Sequence, residues 1–308
     1  MRAEDRGLRR FADLCTVALL LVVLMGAIVT DTGSGRGCGG TWPLCNGRLV
    51  PALAISSMIE YSHRAVAGVV AALVVVLAVW AWRAAPRRPE VRALAIVAAG
   101  FVWIQALLGG LDVLYPQSAA LLALHFGFSL LAFAGALLLS AALRQAPANA
   151  VVGPPPPLPG GLRALIWAGF VYVYALIYLG AYIAHTSGGM ACQGWPLCSG
   201  ALIPALRGAT GVAFLHRLGA LGALVLIAAL HLRLRRLPGA AELQTGSRAA
   251  LGFVLLQIAS GAALVETHLA VWAVVVHGTL VAGLFGALAF LCLQAWRAPT
   301  ATLAAPLA

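Results

Sequence analysis

Apolar residues fall along the chain in eight long runs, at roughly 11–30, 54–82, 91–114, 118–143, 163–184, 207–232, 248–268 and 270–296. An α-helix needs about 20 predominantly apolar residues to cross the hydrocarbon core of a bilayer. The pattern therefore predicts an all-α integral membrane protein with eight transmembrane helices. The gap between the last two runs is short, so Glu266, Thr267 and His268 are expected to form a tight turn at the membrane surface. Arg9 and Arg10 before the first run give it the flanks of a signal peptide. Its full-length counterpart at 163–184 makes it instead an ordinary first helix.

Composition agrees: 62% of the 308 residues are hydrophobic and 9% are charged, against about a quarter charged in soluble domains. A net charge of +11 would suggest nucleic acid as a partner for a soluble protein. Here all the Lys+Arg residues are arginine, and they gather at alternate loops, which excludes that reading. One set comprises Arg2, Arg6, Arg9, Arg10, Arg83, Arg87, Arg88, Arg92, Arg144, Arg163, Arg233, Arg235, Arg236, Arg248 and Arg297; the opposite loops hold Arg36, Arg48 and Arg207. By the positive-inside rule both termini are cytoplasmic and the first, third, fifth and seventh loops face outward.

The chain repeats itself. GAIVTDTGSGRGCGGTWPLCNG at 26–47 is matched by GAYIAHTSGGMACQGWPLCSG at 180–200. His63-Arg64 matches His216-Arg217, Gln105 matches Gln257, and His125 matches His277. Four spans per repeat bring both halves in from the same side, so the repeats are parallel. The expected architecture is two tandem four-helix bundles, residues 1–145 and 163–308, joined by a proline-rich cytoplasmic linker at 146–162.

Cys38 and Cys45 lie in the first outer loop, and Cys192 and Cys198 in the third counting by repeat of the motif, that is, after the fifth helix. On the oxidising side of a membrane such pairs persist as disulfides, and Cys38–Cys45 and Cys192–Cys198 are the expected bridges. Neither pair has the spacing of a common zinc site. Cys15 and Cys292 fall inside apolar runs and read as packing residues.

Of seven histidines, His63, His125, His216 and His277 fall within even-numbered spans at similar depth, in the outer half of the bilayer. Paired imidazoles facing each other across a bundle suit axial ligation of a haem iron better than zinc, which would need further ligands. Arg64 and Arg217 are candidates for haem-propionate contacts; helix capping or interhelical hydrogen bonding competes equally. Gln105 and Gln257 are expected to bond between helices or to touch a haem edge. His185 and His268 are placed near the outer surface, His231 among the cytoplasmic arginines, and Asp31, Asp112 and Glu266 at solvated outer helix ends.

The halves differ at one informative place. Glu60 lies one turn before His63, whereas Ala213 stands before His216. An ionisable group within a span marks function by default. A carboxylate there can exchange a proton or stabilise developing positive charge, which assigns chemistry to the first half and electron storage or structural support to the second.

Glu60-Tyr61-Ser62-His63-Arg64, His125, His216-Arg217 and His277, together with the Cys38/Cys45 and Cys192/Cys198 loops, resemble the haem A synthases, in the bacterial form with cysteine pairs in both loops. The resemblance covers essentially all eight spans. It implies a membrane oxidoreductase that turns a methyl substituent of haem O into a formyl group by successive hydroxylations and loss of water. It further implies that His63 and His125 hold the substrate haem, that His216 and His277 hold a haem b cofactor, and that Glu60 is the essential acid. Haem O would come from a farnesyltransferase, haem O synthase, and haem A would go to terminal oxidases or their assembly factors. The expected setting is the lipid bilayer of a bacterial cell membrane, with oligomeric state, including a homo-oligomer, left open. A dihaem b-type, quinol-linked electron carrier accounts for the four histidines but not for the one-sided Glu60.

Overall fold

A computed structural model describes residues 3–51, 53–115, 118–145, 156–186 and 188–299. Among these residues the chain forms eight helices: α1 (Ala3–Asp31), α2 (Ile55–Ala84), α3 (Pro89–Leu114), α4 (Ala119–Arg144), α5 (Gly160–His185), α6 (Gly208–Leu234), α7 (Ala241–Glu266) and α8 (Val271–Arg297). All eight are long and apolar enough to cross a membrane, as the hydrophobic pattern predicts. Backbone polar groups have no water to bond in the hydrocarbon region, and helices satisfy them internally. The main differences from the predicted spans are at arginine-rich ends. There α1 and α7 begin well before their apolar runs, because hydropathy marks the bilayer whereas the helix continues into the polar interface. The linker residues 146–155 lie outside the described residues.

Contacts between helices close two rings. Helix α1 packs on α2, α2 on α3, α3 on α4 and α4 on α1; α5 to α8 repeat the same circuit. The rings meet where α4 touches α5 and α8, and α1 touches α8. Close approach depends on small residues, as is usual where lipid offers no hydrophobic drive to associate. A Cβ on Gly135 of α4 would stand 2.9 Å from the Cα and N of Ala98 on α3, so those two backbones nearly touch. Within the second ring Phe285 of α8 packs against Phe170 and Tyr174 of α5, with ring centroids 5.0 and 5.6 Å apart.

Polar contacts tie the arginine-rich end. Gln145 accepts from Arg297 and donates to Glu242, joining the end of α4 to α8 and α7. Arg163 donates to the Ala298 carbonyl at 2.7 Å, and Arg144 pairs with Asp13 of α1. At the other end α7 passes to α8 through a turn in which His268 and Leu269 both adopt positive φ, 52° and 62°. This is the expected turn, though Glu266 closes the helix rather than entering it.

Gly135→Val should wedge α3 from α4, since the obstacle is backbone and cannot swing aside. The expected loss is about 1–3 kcal/mol, read as a lowered Tm of the detergent-solubilised protein.

Candidate functional site

Each cysteine loop folds back onto the helix that follows it. Cys38–Cys45 and Cys192–Cys198 are bonded as expected, with sulfurs 2.02 and 1.96 Å apart. In the first half the contact begins at Gly37, where any Cβ would lie 2.3 Å from the Ser56 carbonyl oxygen. Only glycine lets the loop lie this close. Ser57 Oγ then donates to the Gly37 carbonyl at 2.5 Å, and the Cys38 N–H donates to Glu60 Oε2 at 2.8 Å. Glu60 is 3% exposed, and its other oxygen pairs with Arg64.

Arg64 completes the attachment. Its Nη1 donates to the carbonyls of Thr41 at 2.8 Å and Leu44 at 3.0 Å, both inside the disulfide-closed ring. Arg217 does the same in the second half, to Gly194 at 2.9 Å and Leu197 at 3.1 Å. Its Nη2, lacking an acid to meet, donates directly to the Cys192 carbonyl. The hydrogen bonds seen for these arginines go to loop carbonyls, which is neither the helix capping nor the interhelical bonding expected from the sequence. Bonds from a charged donor are about twice as strong as neutral ones, which suits them to hold a loop at a membrane surface.

The four histidines lie about two turns inside the N-terminal ends of α2, α4, α6 and α8. His63 and His125 stand on α2 and α4, opposite helices of the first ring, and His216 and His277 on α6 and α8, opposite helices of the second. Opposite each imidazole stands a glycine of the neighbouring helix. A Cβ on Gly26, Gly109, Gly180 or Gly261 would come within 3.3, 3.1, 2.8 or 3.5 Å of Cε1 of His63, His125, His216 or His277 respectively. These glycines were not singled out in the sequence, yet they occupy equivalent places in the two repeats, and that register is the signal that finds them.

Nδ1 of His63, His125 and His216 is buried without a hydrogen-bond partner. His277 differs: Ser260 Oγ lies 2.9 Å from Nδ1, and the Gln257 amide nitrogen lies 3.0 and 2.8 Å from Nδ1 and Nε2. Gln105, its counterpart, is instead tied to α4 by Ser129, whose hydroxyl donates to Gln105 Oε1 at 2.5 Å. So the first glutamine is an interhelical bond and the second contacts a histidine. Among the described residues no group of three or more His, Cys, Asp or Glu could hold a metal ion. Nitrogen donors arranged in pairs suit a macrocycle that brings its own equatorial ligands.

One placement differs from expectation. Asp112 is not solvated at the end of α3 but 6% exposed. His185 is half-buried at the last position of α5, at the helix end where the sequence placed it. Cys15 and Cys292 are buried, as packing residues should be.

Arg217→Ala removes three hydrogen bonds from one loop. Amide hydrogen exchange across residues 192–199 should rise at least tenfold, while exchange across 38–45 stays as it was.

The geometry has close company among known sequences. A family model described as cytochrome oxidase assembly protein, COX15-CtaA, matches residues 53–289. The heme A synthase of Symbiobacterium thermophilum is 42% identical over 290 residues, covering 93% of this chain and 95% of the relative. Those of Halalkalibacterium halodurans and Geobacillus kaustophilus are 40% and 38% identical, covering 93% and 95% of this chain and 96% and 93% of the relatives. With a match over most of its length and relatives aligned nearly end to end, the chain belongs to the COX15-CtaA family of cytochrome oxidase assembly proteins.

Proposed function

We propose that this chain is a haem A synthase, a multi-pass membrane oxidoreductase that converts the methyl substituent of haem O to a formyl group by successive hydroxylations. The observation that carries the reading is the end-to-end likeness to heme A synthases, joined to a buried acid clamped in one half only. The dihaem carrier would need two equivalent halves and leaves Glu60 unexplained.

The residues fit haem. The imidazole pairs sit on opposite helices of each ring, a glycine stands beside every imidazole, and Nδ1 of His63, His125 and His216 is buried without a partner. In this reading His63 and His125, within residues 1–145, hold the substrate haem. His216 and His277, within residues 163–308, hold a resident haem b. Ligation by His277 through Nε2 requires the Gln257 amide to turn aside and leaves Nδ1 on Ser260, the kind of second hydrogen bond that fixes a ligating imidazole. When bound, haem b supplies one-electron redox chemistry.

Glu60 acts from a fixed place. Both oxygens are engaged, by the Cys38 N–H and by Arg64, so it works as a preorganised negative charge beside the histidine pair. Such a charge stabilises positive charge that develops on the substrate as its methyl carbon is oxidised. Arg64 and the first loop position it, and the apolar spans exclude water. Propionate contacts by Arg64 and Arg217 would use edges of the guanidinium not committed to the loops.

Sidedness follows the arginines: both termini in the cytoplasm of a bacterial cell, the cysteine loops outside. The chemistry places a farnesyltransferase that makes haem O before this protein and a terminal oxidase that takes haem A after it.

Glu60→Ala should keep bound haem yet fail to form haem A, checked by mass analysis of haems extracted after supply of haem O. Normal haem A accumulation would remove Glu60 from the chemistry. His216→Ala should lose haem b from the purified protein, read as pyridine haemochrome absorbance; unchanged haem b content would refute that ligand.

A further inference from the structure

On the lipid-facing side of the first ring, far from the histidines, a groove of about 480 Å³ runs between α2 and α3 near their arginine-rich ends. Its floor is made of small residues, Ala95, Ala99 and Gly100, and its walls are Trp82 and Trp103, which are 43% and 62% exposed. A Cβ on Gly100 would meet nothing within 4 Å, so the groove is open along its floor. Arg83 stands at the mouth. The Arg92 guanidinium sits 4.6 Å above the Trp82 ring and its Nε donates to the Trp82 carbonyl at 3.4 Å. Among the described residues neither Arg83 nor Arg92 forms an ion pair; the nearby acid, Glu90, is buried and taken by Arg88.

We propose that this groove is a binding site for an anionic phospholipid, with an acyl chain along the alanine and glycine floor and the phosphate between Arg83 and Arg92. Charge complementarity selects this occupant. The arginine-rich end faces the cytoplasmic leaflet by the reading above, where anionic headgroups are drawn to basic side chains by about 1 kcal/mol each, and basic pockets between helices on that side hold such headgroups. The cation–π contact holds one guanidinium in place, so less side-chain freedom is lost when the headgroup binds. The repeat argues against a generic membrane surface. It puts Arg235 and Leu255 where Trp82 and Trp103 stand, and Gln244 where Arg92 stands, so the second ring has the equivalent open glycine, Gly252, but neither the tryptophan walls nor a guanidinium held over one of them.

The test uses the full chain in nanodiscs of phosphatidylcholine doped with phosphatidylglycerol, released for native mass spectrometry. The wild-type chain should retain phosphatidylglycerol in marked excess over its share of the bilayer. The double variant Arg83→Gln/Arg92→Gln should lose that preference roughly 30-fold, about fivefold per guanidinium, with haem content and Tm unchanged. Arg236→Gln, the repeat counterpart of Arg83, should retain the wild-type preference. Gly100→Leu fills the floor without a clash and should lower retention while both arginines remain. Proportional retention of the two lipids by wild type, or an unchanged preference in the double variant, overturns the proposal. So does displacement of the lipid by millimolar inorganic phosphate, which would show that the site reads a free anion.

Discussion

Two arginines hold the disulfide-bonded loops of this protein to its helices. In a membrane helix a guanidinium must find partners, because an unpaired charge inside the bilayer is expensive. Arg64 and Arg217 find theirs in the carbonyls of Thr41, Leu44, Gly194 and Leu197. The disulfide in each loop makes those carbonyls a compact set of acceptors. Loop and helix are thereby mutually dependent: the loop needs the cation to stay down, and the cation needs the loop to be tolerated at that depth. Gly37, pressed on the Ser56 carbonyl, shows how little space separates them.

Beneath these lids the packing is set by absence of side chains. The glycines opposite the four imidazoles and the Gly135–Ala98 approach are two uses of one property. At Gly135 the missing Cβ lets backbones meet; at Gly26, Gly109, Gly180 and Gly261 it gives an imidazole room between helices. Ligands for a large planar cofactor need that room, and interiors otherwise pack with few voids. Small residues therefore serve both cohesion and site.

Much of this was legible in the sequence, because its strongest signals are physical ones. Span length follows from bilayer thickness, so eight helices could be counted from hydropathy. The repeat paired His63 with His216 and His125 with His277, and Cys38/Cys45 with Cys192/Cys198, without structural help. What could not be read was what the folded chain brings together. Asp112 looked solvated because its helix ends there, yet it is buried. Arg64 and Arg217 looked equally suited to a propionate, a helix cap or an interhelical bond, and a one-dimensional spacing does not say that loop carbonyls come near.

The difference between the halves is also more than one residue. Where Glu60 is present, the loop turns the Cys38 N–H towards the helix; where Ala213 replaces it, the Cys192 carbonyl turns inward to Arg217. A carboxylate placed at Ala213 would face a carbonyl oxygen, an acceptor meeting an acceptor. The acid site is therefore built jointly by α2 and by the backbone polarity of the first loop. That joint construction explains how two copies of one unit can share histidines, arginines and disulfides while only one presents a fixed negative charge beside its imidazole pair.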